Sequence, residues 1–149
     1  MKSPGDAVPD LDVASTDGTI NLAEEQGTYV VYFYPKDDTP GCTTEACSFR
    51  DAADAYESAG VEIFGVSNDS VESHEAFQRK HGFAFPLIAD TDGELSKAFG
   101  VYGEHSDGDF EWTGVTRTTF ICEDGEVTHV LDDVNPSGHA DEVLELVER

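Results

Sequence analysis

The chain has 149 residues, 38% of them hydrophobic and 10% aromatic, and 32 Asp and Glu against 8 Lys and Arg give it a net charge of −24 and a pI near 4.1. That apolar content suits one globular domain over residues 1–149, and a polyanion of this strength with no basic stripe is repelled by nucleic acid. No apolar run approaches the roughly 18 to 20 residues that span a bilayer, and "MKSPGDAVPD" lacks the apolar core of an export signal, so a cytoplasmic protein without membrane contact is expected.

In chain order, "LDVASTDGTINL" holds two short alternating runs around Asp17-Gly18 and predicts an N-terminal β-hairpin. "TYVVYFY" (28–34) is a continuous β-branched and aromatic run, the pattern of a strand buried on both faces. A helix is expected from about Cys42 to Ser58. "VEIFGVS" (61–67) predicts a second buried strand, and 70–81 a helix with Ser70 as its N-cap. A short strand in "PLIAD" and a short helix in "GELSKAFG", closed by Gly100, come next. The stretch 103–116, "GEHSDGDFEWTGVT", is expected to be irregular. "RTTFIC" and "VTHVL" flank Glu123-Asp124-Gly125-Glu126 as a second hairpin, and a last helix from near Ser137 places Ala140, Val143, Leu144 and Val147 on one face. Strands alternating with helices, then a terminal hairpin and helix, predict an α/β sandwich with a mixed central sheet flanked by helices, the element order of a thioredoxin-like fold.

Three cysteines is an odd number for a chain expected in a reducing compartment, which favours thiols held reduced at rest over a disulfide framework. Two of them lie in "YPKDDTPGCTTEACSFRD" (34–51). Projection at about 100° per residue groups Cys42, Ala46, Phe49, Ala53 and Tyr56 on one stripe and sets Cys47 about 140° away, among Asp51, Asp54 and Ser58. One sulfur is then sheltered and the other faces water. On an intact helix their Cα atoms stand roughly 8.7 Å apart, and a disulfide needs less than about 7 Å. Bonding would therefore require the first turn to unwind.

A structural staple, a zinc site and a reactive thiolate are three readings of this pair. The staple fits the compartment and the geometry badly. Zinc would want a second ligand pair at similar spacing, and His74, His81, His105, His129 and His139 are scattered. The thiolate reading draws on the helix N-terminus, whose free N–H groups and macrodipole favour an anion. Its neighbours agree: Pro35 ends the strand, Thr39 places a hydroxyl where it is expected to cap the turn and hydrogen-bond the sulfur or its substrate, and Pro40 and Gly41 shape the turn.

The segment 34–51 resembles the active-site segment of peroxiredoxins, specifically the bacterioferritin-comigratory-protein or peroxiredoxin Q type. "PLIADTDGELSKAFGVYGE", "GVTRTTFI" and "HVLDDV" are similar to segments of that family too, so the likeness spans nearly the whole chain. The resemblance implies that Cys42 is the peroxidatic cysteine and Cys47 the resolving one, that Pro35 and Thr39 frame the peroxide site, and that Arg117 is the distant cation beside the sulfur. Glu45 matches a frequent acidic position of the wider family. The implied activity is a thiol-specific peroxidase acting on hydrogen peroxide and organic hydroperoxides in antioxidant defence, with no cofactor and no metal. Cys42 would pass through a sulfenic acid to an intramolecular disulfide with Cys47, which thioredoxin or a similar dithiol would reduce. A resolving thiol in the same chain implies a monomer.

Two other readings stay open: a general thiol–disulfide oxidoreductase, which normally shows C-x-x-C where this chain has C-x₄-C, and a redox-sensor or binding module that forms the disulfide but turns over slowly. Asp37, Asp38 and Glu45 bring like charge close to Cys42, which Arg117 and the helix terminus must outweigh. The acidic 103–116 stretch departs from the family, which often carries Lys there, and bears on partner docking. Cys122 ends an apolar strand and is expected in the core as a small hydrophobe. The histidines read as surface or helix residues, and Trp112 as a packing anchor or a partner contact. Periodic segments rich in Val, Ile, Phe and Tyr argue against disorder. The acid surplus instead points to a surface hydrated in concentrated salt, where the Debye length falls to about 3 Å at 1 M, and hence to a halophilic cytosol.

Overall fold

Strand β3 (Thr28–Phe33) is the axis of the molecule, and its alternating side chains build a core on each face of the sheet. Tyr29, Val31 and Phe33 join Val66, Ile88, Leu95, Phe99 and Phe120 on one side. Val30, Tyr32 and Tyr34 join Phe49, Tyr56, Phe77, Leu87 and Val143 on the other. This two-sided burial is why the run is continuously apolar rather than alternating. The computed structural model describes residues 2–107, 110–131 and 139–147, with backbone alone over 104–107 and 110–113.

Seven strands form the main sheet in the order β2-β1-β5-β4-β3-β8-β9. β3, β4 (Glu62–Ser67) and β5 (Leu87–Ala89) run parallel. The hairpin β1 (Asp12–Ser15)/β2 (Gly18–Asn21) joins one side antiparallel, and β8 (Thr118–Glu123)/β9 (Glu126–Leu131) joins the other. Helices α1 (Pro40–Ser58), α2 (Val71–His81) and α4 (His139–Val147) contribute to the Tyr32 face, and α3 (Glu94–Phe99) to the Phe33 face. The mixed sheet flanked by helices and the N-terminal hairpin stand as the sequence predicts. Ser70 caps α2 by accepting from Ser73 N–H, and Gly100 closes α3 in the left-handed region. The β8/β9 turn has positive φ at both Asp124 (50°) and Gly125 (82°), the conformation a two-residue hairpin favours.

Gly65 on β4 permits a close approach. A Cβ there would lie 2.6 Å from Leu87 Cδ2 and 2.9 Å from the Tyr32 hydroxyl, so its absence lets the Tyr32 ring lie over the strand. Phe49 of α1 stacks on that ring at 4.6 Å between centroids, which sets how α1 sits on the sheet.

Three expectations need correction. The helix begins at Pro40 rather than near Cys42, because proline at the first helical position lacks only an N–H that would be unpaired anyway. Its buried stripe runs through Ala52 instead of Ala53 and includes Glu45, whose charge hid it from an apolar projection. The 103–116 stretch is not irregular: β6 (Tyr102–Asp107) and β7 (Phe110–Val115) pair antiparallel as a separate two-stranded ribbon. Its acidic residues mask the alternation, although the sequence "DG" at 107–108 is a hairpin dipeptide. Among the histidines, His74 and His139 lie on helices, within the expectation, and both are fully buried. Ser137 and the "DDV" of "HVLDDV" lie outside the described residues, as does the side chain of Trp112. Among the described residues, no helix is long and apolar enough to cross a membrane.

Candidate active site

The site forms where β3 ends and α1 begins. Thr39 is the N-cap residue and Pro40 the first helical residue, which puts Gly41 and Cys42 at the second and third positions. Amides at those positions have no acceptor within the helix. Thr39 does not cap them: its hydroxyl donates to the Lys36 carbonyl at 3.0 Å. The expected contact of Thr39 with the sulfur is therefore replaced by a bond that closes the loop on itself. Pro35, just past the strand, is exposed.

Cys42 is 1% exposed and packs in the Tyr32-side core. Arg117 reaches it from the far end of the sequence. The antiparallel register pairs Phe33 with Thr118, so Arg117 arrives beside the end of β3 from which the loop to α1 departs. Its Nη2 donates to Cys42 Sγ at 3.2 Å, while Nη1 donates to Glu45 Oε1 at 2.7 Å. One guanidinium thus bridges the sulfur and a carboxylate one helical turn further on. It is a fixed cation already oriented toward any charge that develops at the sulfur.

Glu45 is fully buried, and burial pushes its carboxyl up to about 7 although Arg117 pulls the other way. Its Oε2 has no hydrogen-bond partner among the described residues and lies 4.0 Å from His139 Nε2. His139, the first residue of α4, shares a 2.7 Å hydrogen bond with the Thr119 hydroxyl. Burial, aided by Arg117, lowers its imidazole to about 4, so it is neutral at ordinary pH. Sequence reasoning missed His139, and its only signal was its place on the apolar side of a helix.

The two aspartates before Thr39 do not crowd the sulfur with free charge. Asp37 is buried, where Oδ1 accepts from the Tyr34 hydroxyl at 2.7 Å and Oδ2 accepts from the Ser73 hydroxyl at 2.8 Å. His74 Nδ1 stands 2.7 Å from the same Oδ2, and His74 Nε2 donates to the Ile88 carbonyl at 2.9 Å. The Asp37 amide donates to Asp69 Oδ2 at 2.8 Å. Asp37, Asp69 and His74 are close enough to suggest metal ligands. Within the protein these groups are already joined to one another and to Tyr34, Ser73 and the Ile88 carbonyl by hydrogen bonds, which accounts for their clustering without an ion. Asp38, with φ at 61°, turns outward to Lys80 Nζ at 2.7 Å and His81 Nε2 at 3.3 Å.

Cys47 is half-buried rather than open to water, in a groove with Thr43, Thr44, Ser48, Asp51 and Asp141. It and Cys42 are free thiols on one unbroken helix. Cys122 lies in the opposite core, as expected, and burial pushes its thiol up to about 12. Of the sequence-derived site residues, the fold joins Cys42 directly to Arg117, holds Thr39 and Pro35 on the adjoining loop, and keeps Cys47 apart on the same helix.

The chain as a whole is similar to known proteins. The AhpC/TSA family model matches residues 4–130. Peroxiredoxin Bcp of Escherichia coli is 41% identical over 143 residues, covering 94% of this chain and 92% of the relative. The solved peroxiredoxin Q of Xanthomonas campestris superposes with a TM-score of 0.87 at 41% identity, covering 95% of this chain and 91% of that one. The bacterioferritin comigratory protein of the same organism, studied for its alkyl peroxide reduction activity in trapped-intermediate and ligand complexes, gives a TM-score of 0.87 at 40% identity over 96% and 98% of the two chains.

Proposed function

The chain belongs to the AhpC/TSA family and is a peroxiredoxin of the Bcp and peroxiredoxin Q type, a thiol peroxidase, and on that premise we propose that Cys42 attacks the peroxide and Cys47 resolves the product. The observation that carries the assignment is the 3.2 Å hydrogen bond from Arg117 to Cys42 Sγ at a helix N-terminus. The Cys42 thiolate displaces RO⁻ from one peroxide oxygen. The O–O bond breaks as the S–O bond forms, and a proton from solvent completes ROH. Arg117 and the free amides of Gly41 and Cys42 offer donors to the oxygens as charge moves between them. Thr39 and Pro35 bound the site on the loop side.

The product is a sulfenic acid on Cys42. Cys47 condenses with it once the first turns of α1 unwind, and water leaves. Thioredoxin or another small dithiol then reduces the disulfide by exchange. The substrates are hydrogen peroxide and organic hydroperoxides, in keeping with the alkyl peroxide activity of the Xanthomonas campestris relative. The chain acts as a monomer, a single domain over 1–149 with no metal or other cofactor, and it serves redox homeostasis in the cytoplasm of a halophile.

Peroxide consumption with a thioredoxin system tests the roles. Cys42→Ser is expected to lose all turnover, whereas Cys47→Ser consumes one equivalent and stops at a trappable sulfenic acid. Oxidised wild type runs as a monomer on a non-reducing gel. Retained turnover by Cys42→Ser ends the assignment. The halophilic reading has its own test: thermal melts are expected to rise from low to multimolar KCl as self-repulsion is screened, and a salt-independent melting temperature would refute it.

A further inference from the structure

The resolving step, on the reading given above, requires the helix that carries both sulfurs to come apart, and the fold holds the chain on either side of that helix segment by separate means. On the N-terminal side, the loop 34–38 is attached to α2 and to the loop before it, not to α1. Asp37 takes hydrogen bonds from Tyr34 and Ser73 and lies 2.7 Å from His74 Nδ1, whose ring is tied to the Ile88 carbonyl of β5. The Asp37 amide is held by Asp69, and Asp38 by Lys80 and His81. On the C-terminal side, Ser48 Oγ accepts from the Ala140 amide of α4 at 3.2 Å, and the Tyr56 hydroxyl donates to the Ala140 carbonyl at 2.6 Å. Arg50 Nη1 donates to the His81 carbonyl at 2.7 Å, and Phe49 is stacked on Tyr32. Between these holds lie residues 40–47, with one cysteine near each end.

We propose that Asp37 and His74 are positioning residues that fix the N-terminal boundary of a bounded unwinding unit, residues 40–47, whose other boundary is set by Ser48, Arg50 and Tyr56. Bounded unwinding is geometrically sufficient. From Thr39 to Ser48 the helix advances only about 13.5 Å at about 1.5 Å per residue, whereas the same nine steps reach roughly 30 Å when extended. The segment therefore has slack to bring two sulfurs together without moving either hold. The fixed loop also keeps Pro35 and Thr39 in place, so that re-winding restores the peroxide site.

Hydrogen exchange and rapid kinetics together test this. In the oxidised wild type, amide protection is expected to be lost across 43–51, the amides bonded to carbonyls at 39–47 in the intact helix, and kept at 31–34 and 52–56. Loss of protection through either flank would overturn the boundary. Asp37→Asn or His74→Gln alone strands a buried polar partner, so both are expected to extend rapid exchange back through 35–39 in the reduced protein. Each is expected to lower the second-order rate constant for peroxide about ten- to a hundredfold through misplacement of the site. Disulfide formation from the sulfenic acid is expected to be no slower, and the sulfinic fraction at a given peroxide dose lower. The double variant Asp37→Asn/His74→Gln pairs two neutral amides and is expected to recover most of the first step. Tyr34→Phe, which removes one hydroxyl from Asp37, gives the same pattern in weaker form should the single charge variants fail to fold. A first step unchanged in these variants, or both steps slowed alike, would refute the positioning role. Failure of the cysteine assignment itself would show separately, as turnover by Cys42→Ser.

Discussion

Cys42 and Cys122 are buried to the same degree, at 1% and 0% exposure, yet their surroundings differ in kind. Cys122 sits among Tyr29, Phe120 and Val127, where nothing compensates a charge, and its thiol is held up at about 12 and so stays neutral. Cys42 sits at a helix start with a guanidinium 3.2 Å from its sulfur. On the assignment proposed above, burial does not separate an inert thiol from a reactive one; the polar partner does. That partner is imported from 75 residues away by the β3/β8 register, so the proposed site is a product of the sheet as much as of the helix.

The contrast breaks most severely if its cation goes. Arg117→Met is expected to lower the second-order rate constant for peroxide by about 10² to 10³, as for loss of one preorganised donor, measured by stopped-flow consumption. A fall of less than about threefold would place the activation elsewhere. A subtler change concerns Glu45, whose carboxyl is raised by burial from 4.5 to about 7. The stability tied to its protonated form is fully present below 4.5 and is lost as pH rises through 7. Glu45→Gln is accordingly expected to gain on wild type between pH 5 and pH 8, by about 3 kcal/mol at most, in paired urea melts. A difference that stays constant with pH would show that Glu45 does not ionise across that window. The smallest effect belongs to the other cysteine: Cys122→Ala is expected to cost about 1 kcal/mol of stability through a small cavity, with peroxide kinetics unchanged.

The half of this contrast that is local was legible in the sequence. The five-residue spacing of Cys42 and Cys47, the buried strand before them, the caps of α2 and α3 and the burial of Cys122 all follow from period and turn chemistry. What escaped depends on distant pairing. Glu45 and Asp37 both read as like charges beside Cys42 until Arg117 is set against the one and His74, 37 residues on, takes up the other. Thr39 offered a plausible cap, but a nearer carbonyl won its proton. The β6/β7 ribbon was hidden because strand alternation is hard to see when acidic residues occupy so many positions.

Gly65 carries the matter beyond the reacting groups. A methyl group there would press on Tyr32 and Leu87, Tyr32 would shift Phe49, and Phe49 belongs to the helix bearing both thiols. An inactivating allele is thus expected on a strand that touches neither substrate nor sulfur. Random mutagenesis scored by peroxide sensitivity would return this glycine beside the cysteines, so genetic proximity to the phenotype measures mechanical linkage as well as chemistry.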